Sequence, residues 1–91
     1  MILDPRDLTP DQRIRWRRSD NARRFQFYIM QRISDEVFNG ELTKDDVHEL
    51  CKAKFLPKFG ETSTTMLDTD EFFEYMCDII KAFCYTYKID L

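Results

Sequence analysis

Ala22 to Phe38 reads ARRFQFYIMQRISDEVF, and the spacing of its apolar residues decides the fold. Phe25, Ile29, Ile33 and Val37 recur every four residues, with Tyr28 and Met30 beside them. That period lays the side chains along one stripe of an α-helix; a half-buried strand would need alternation instead. Asn39-Gly40 marks the end of the helix, because both residues accept the left-handed backbone that closes a last turn. At its start, Ser19-Asp20-Asn21 carry short polar side chains that compete with helical hydrogen bonds and prefer caps. They are expected to break one helix and begin the next.

The same signals repeat on either side. Thr9-Pro10-Asp11-Gln12 has a capping threonine, a proline at the first helical position and a glutamine where a capping box wants it. The helix that follows runs through RIRWRR, with Ile14 as its expected apolar contribution. Thr43-Lys44-Asp45-Asp46 opens a third helix with Val47, Leu50, Cys51 and Phe55 facing inward, and Pro57 ends it. Residues 57–68 form the one long loop, with a short extended piece expected at Ser63–Met66. Thr69 is expected to cap the last helix, with Asp70 and Glu71 near the positive end of its dipole. Phe72, Met76, Ile79, Ile80, Phe83 and Tyr87 line its buried side. The reading is an all-α fold of about four helices, forming a single domain over residues 1–91.

Composition supports it. Hydrophobic residues make up 43% of the 91 residues, enough for a small core, and two glycines are too few for a turn-dense β fold. No apolar run approaches the roughly 20 residues a membrane span needs, so no membrane association is expected. The amino-terminal MILDPRDLTP does not read as a signal peptide. Cys51, Cys77 and Cys84 are odd in number and show no CxxC spacing, which reads as a reduced, cytoplasmic protein.

Charge is divided unevenly. Residues 1–34 hold all eight arginines and four aspartates, a net of +4, whereas residues 35–91 carry a net of -7. Six of the arginines fall between Arg13 and Arg24, around the only tryptophan. On a helix Arg13, Arg17 and Arg24 lie near one line, with Trp16 beside Arg13 and Arg17. Arginine forks onto phosphate and an indole offers a face for an unpaired base, so Arg13, Trp16, Arg17, Arg18, Arg23 and Arg24 suit single-stranded nucleic acid. Equally, the arginines could pair with Glu41, Asp45, Asp46, Glu71 and Glu74 of the acidic half, within the chain or across a dimer. The residues alone leave both readings open, and a lone tryptophan such as Trp16 more often anchors a core or an interface than stacks on a base.

The other polar groups have ordinary explanations. His48 and Cys51 stand three apart, but no second pair completes a metal site, and neither metal nor cofactor is expected. The carboxylates sit at helix starts, where caps and dipoles account for them, and one histidine without a glycine-rich loop gives no enzyme signature. Ser63-Thr64-Thr65 could touch phosphate, although turn chemistry is their simpler role. Lys52 and Lys54 read as solvated. In FCYTYKIDL, Phe83, Tyr85, Tyr87 and Ile89 exceed what one helix face buries, which hints at a homodimer.

Three stretches carry a family resemblance: Arg18-Ser19, ELTKDDVHELCKAKFLP at 41–57 and STTMLDTDEFFEYMCDIIKAF at 63–83. In this order and spacing they resemble the NinB family of phage recombination proteins, whose members run Arg-Ser-x-x-Gln-Asn, then T-x-D-E-L-H-E-x-x-K-x-K-F-L-P, then S-T-T-x-L-(T/D)-T-x-E-F. The likeness covers about residues 18–91. It departs at Ala22-Arg23, which replace Gln-Asn, and before Arg18, where the family has a β-rich segment. The resemblance implies a non-catalytic phage protein of the host cytoplasm that binds single-stranded DNA. It implies a dimer that helps load a recombinase and contacts the host single-strand-binding protein, with Lys54 extending the basic path of the arginines. The alternative is a small interaction protein that binds or inhibits a host DNA-processing protein, either through the same arginines or with the acidic half, net -7, mimicking DNA.

Overall fold

A computed structural model describes residues 3–91. Four α-helices carry the fold: α1 (Pro10–Arg18), α2 (Asp20–Glu36), α3 (Lys44–Phe55) and α4 (Thr69–Tyr87). Single 3-10 turns lie at Pro5–Asp7, Pro57–Phe59 and Thr64–Met66, and no strand occurs among the described residues. The all-α reading holds.

Local chemistry explains the boundaries. Thr9 and Gln12 close a capping box at the start of α1, as Thr43 and Asp46 do for α3. Ser19 serves two helices. Its N–H and Oγ both donate to the Trp16 carbonyl at the end of α1, and its Oγ accepts from the Asn21 N–H at the start of α2. One residue therefore breaks the chain between two helices without leaving either end uncapped. Helix α2 stops at Glu36, and Asn39 and Gly40 then take positive φ of 52° and 80°, letting the Gly40 N–H reach back to the Ser34 carbonyl.

Two local expectations are corrected. Residues 63–66 do not form an extended piece. The Ser63 hydroxyl accepts from the Thr65 N–H and winds Thr64–Met66 into a 3-10 turn, leaving only Ser63 and Leu67 extended at its flanks. The cap of α4 is Asp68 rather than Thr69, because Asp68 and Glu71 bond reciprocally to each other's backbone N–H. A carboxylate is the better partner for the N-terminal end of the dipole.

Helix α2 is the centre of the core, against which α1, α3 and α4 pack. Its stripe of Phe25, Ile29, Met30 and Ile33 meets Val47 and Cys51 from α3 and Phe72, Tyr75, Met76, Ile79, Ile80 and Phe83 from α4. Val37, Leu50 and Phe55 are only half-buried, and Tyr87 is exposed. Tyr75, absent from the expected stripe, is wholly buried.

The largest departure is the orientation of α1. Ile14 is 44% exposed and Trp16 only 3%. The indole packs edge-on against Phe25, with centroids 6.0 Å apart, and tilted against Phe72 at 5.7 Å, while Nε1–H donates to the Leu3 carbonyl at 3.1 Å. Burying a tryptophan yields about 4–6 kcal/mol from its area, against about 1.5–3 for an isoleucine. The two side chains point to different sides of α1, so the larger one decides which side faces the core.

Trp16→Ala should therefore destabilise the protein by about 3–5 kcal/mol, measured by urea unfolding. In the native protein, iodide should fail to quench the fluorescence of this single tryptophan.

Candidate nucleic-acid interface

The turn of α1 toward the core divides the arginine cluster in two. Arg13 and Arg17 share the inward face with Trp16, and their stems run over apolar surface while the guanidinium heads find partners. Arg13 lies over the Phe73 ring at 3.8 Å and donates through Nε to the Pro5 carbonyl at 2.9 Å. Arg17 lies over the Phe72 ring at 4.2 Å and donates through one terminal nitrogen to the carbonyls of Thr64 (2.7 Å) and Leu67 (3.3 Å). These contacts tie α1 to α4 and hold the Thr64–Met66 turn in place. Burial pulls the Arg17 guanidinium below its ordinary value, although arginine stays charged. Its Nε–H is buried without a partner among the described residues.

Trp16 offers no face to a base. Its rings are covered by Phe25 and Phe72, so the stacking role expected of it is withdrawn. The sequence grouped Arg13, Trp16 and Arg17 on one face correctly, but that face is the inner one.

Arg15, Arg18, Arg23 and Arg24 are exposed on α1 and α2, on either side of the Ser19 junction. None is within ion-pairing distance of a carboxylate among the described residues. The acids that could have answered them are engaged elsewhere or apart. Asp46 and Glu71 close capping boxes, and Glu74 joins Asp78 around Lys58. Pairing of the arginines with the acidic half inside one chain is thus not what the fold does.

Beside these arginines opens a cavity of about 290 Å³, between α1, α2, α3 and the Thr64–Met66 turn. Arg17, Arg23, Gln26, His48, Thr64 and Thr65 supply its polar lining, together with Ser19, and no carboxylate lines it. Gln26 is 5% exposed, and its Nε2 lies 3.1 Å from His48 Nδ1. With that amide donating, neutral His48 carries its proton on Nε2. The imidazole packs against Phe27, centroids 5.1 Å apart. Burial, helped by Lys52, lowers the His48 pKa from its ordinary 6.5 despite the opposing pull of Glu49 and Asp45.

Sequence reasoning missed this convergence. His48 was weighed with Cys51 as a metal pair, but Cys51 is wholly buried in the core, where its thiol is pushed up to about 12. The neighbours of His48 that matter, Gln26 and Phe27, are more than twenty residues away and belong to another helix. The available signal was that Arg18-Ser19, His48 and Ser63-Thr64-Thr65 all lay in the motif stretches. Ser19, His48, Thr64 and Thr65 do meet at the cavity. Lys54 does not. It lines a separate apolar cleft with Phe38, Leu50, Phe55, Phe83 and Tyr87, so it is not joined to the cavity.

Comparison with models of protein families, with curated proteins and with solved structures returns no match.

The two classes of arginine should separate in stability. Arg17→Ala should cost about 1–3 kcal/mol by removing its bonds to two carbonyls, of which Thr64 keeps the Leu67 N–H, and a cation–π contact, whereas Arg18→Ala should stay within about 0.5 kcal/mol. Chemical denaturation of both variants checks this. His48 makes a second prediction. Its folded pKa lies below 6.5, so on acidification the unfolded chain takes up the proton first and stability falls. His48→Gln should flatten the decline in stability between about pH 7 and 5, followed by denaturation across that range.

Proposed function

We propose that this protein binds single-stranded DNA through the exposed arginines of α1 and α2, does no chemistry on it, and assists the loading of a recombinase. One observation carries the binding part. In an acidic chain, Arg15, Arg18, Arg23 and Arg24 stand exposed without carboxylate partners among the described residues, next to a cavity lined by arginine, histidine and hydroxyl groups and by no acid. Charges left unpaired on one surface of a net-negative protein focus a positive potential there, which draws polyanions and repels acidic ones elsewhere.

A single strand is favoured over a duplex for two reasons. The exposed arginines lie on either side of the junction of two helices, and one of them, Arg23, lines a concave site, whereas duplex readout needs a helix with polar side chains free to enter a groove. Phe27, half-buried at the same cavity, takes over the stacking role that Trp16 cannot perform. The recombination role rests on the resemblance of Arg18-Ser19, the 41–57 segment and the 63–83 segment to NinB proteins. On that reading the protein is phage-encoded, acts as a homodimer in the host cytoplasm, and hands the strand to a recombinase with the host single-strand-binding protein as a further contact. The tyrosines Tyr85 and Tyr87, exposed at the end of α4, are the surface the dimer would use.

The test is fluorescence anisotropy of a labelled single-stranded oligonucleotide across a series of salt concentrations, with a duplex control. Four phosphate contacts predict a slope of log K against log salt near about -3, from roughly -0.7 per contact on single strands. Replacing Arg18 and Arg23 together by alanine should reduce that slope by about 1.4 with the fold intact. Absence of binding at low salt would instead assign the arginines to an acidic protein partner.

A further inference from the structure

We propose that the cavity between α1, α2, α3 and the Thr64–Met66 turn binds a phosphate monoester, the terminal phosphate of a nucleotide. The proposal rests on and deepens the reading above by naming the part of a strand taken there; it stands on the cavity, which shares only Arg23 with the exposed arginines.

Three features select this ligand. The first is the donor set. Arg23 brings its guanidinium, His48 its Nε2–H, Thr64 its hydroxyl and Thr65 a hydroxyl shared with Ser63, while the Arg17 guanidinium, bonded to the Thr64 and Leu67 carbonyls, adds its charge to the wall. These come from three helices and a turn and surround one space, which suits a group bearing several acceptor oxygens. The second is charge. With two arginines and no carboxylate in the lining, the cavity favours a dianion over a neutral ligand, and a phosphate monoester carries nearly two negative charges near neutral pH. The third is size. A volume of about 290 Å³ is at the lower limit of sites that enclose a small ligand, roughly 300 Å³ upward. It accommodates one terminal nucleotide rather than a strand that must enter and leave. Phe27 is the lining ring with open surface, Phe72 being 1% exposed, and it gives the terminal base a face to rest on.

Gln26 makes the site adaptable. When an anion binds beside His48, the ring gains a proton at Nδ1 if the Gln26 amide turns its oxygen toward it, which a side-chain amide does without moving the helix. Burial, with Lys52 on α3, discourages that proton in the free protein, and Glu49 and Asp45 on α3 oppose them. A bound dianion tips the balance toward the imidazolium.

The experiment compares one single-stranded oligonucleotide bearing a 5′-phosphate, a 3′-phosphate or two hydroxyl ends, together with a free deoxynucleoside monophosphate, by isothermal titration calorimetry. A phosphate at one end should tighten binding by about tenfold or more. Arg23→Gln and His48→Gln should each remove that preference, whereas Arg15→Gln should weaken the three oligonucleotides by the same factor. The His48 ring resonances, followed by NMR across pH, should titrate at higher pH when the phosphorylated ligand is bound. If the free monophosphate binds and competes, the ligand is a nucleotide; if only the phosphorylated strand binds, it is a strand end. Both outcomes support the site. Equal affinity for phosphorylated and hydroxyl strands overturns the cavity proposal and leaves DNA binding standing. Binding of the monophosphate without binding of any strand upholds the cavity and overturns the DNA reading.

Discussion

The burial of the Trp16 indole sets how α1 lies against the other helices and which of its arginines face water. A short helix of nine residues with one isoleucine has little reason of its own to choose a face. The indole supplies it by wedging between Phe25 of α2 and Phe72 of α4, with its N–H satisfied by the Leu3 carbonyl. That contact joins three helices and the amino-terminal segment at one point. Because Ser19 permits only a single residue between α1 and α2, the angle at which α1 lies across the core is then set.

The consequence is a division of labour among chemically identical side chains. Arg13 and Arg17 are carried inward with Trp16 and become structural, donating to backbone carbonyls and covering aromatic faces. Arginine suits this work because a planar, weakly hydrated head can be half-buried where an ammonium would hold its water. Arg15, Arg18, Arg23 and Arg24 are left outside. The Arg17 contacts do more than brace α1. By gripping the carbonyls of Thr64 and Leu67 they bring the threonines of the turn up to His48 and Arg23, so a residue that binds nothing through its terminal nitrogens but protein backbone nonetheless builds the cavity.

That cavity is unusual for its surroundings. Thirteen of the seventeen acids lie in residues 35–91, yet the part of that half which faces Arg23 offers a histidine and two threonines. Asp46, Asp68 and Glu71 close capping boxes, Glu74 and Asp78 gather around Lys58, and no acid lines the cavity. Separation of charge within one small fold leaves a positive site on a negative molecule. Such an arrangement focuses a positive potential on one part of a net-negative surface.

The helices themselves were legible in the sequence. The four-residue recurrence from Phe25 to Val37, the capping box at Thr9, the helix start at Thr43 and the break at Ser19 are local features, and local chemistry acts over the three or four residues that a reader can see together. The errors were also local in kind: Asp68 outcompetes Thr69 as a cap, and Ser63 winds a turn where an extended piece was expected. The sequence determined, in addition, that arginines would cluster around one tryptophan in an acidic chain. It did not determine which of them would face water, because that depends on Phe72, fifty-six residues further on, offering a wall for the indole. Nor could it show that Gln26, Phe27 and His48 would meet Thr64 and Thr65, since only the packing of α3 and the turn against α2 puts them around one space. Backbone hydrogen bonds and caps are settled between neighbours; the burial of large side chains is settled by the whole molecule, and here it decided which residues were free to bind.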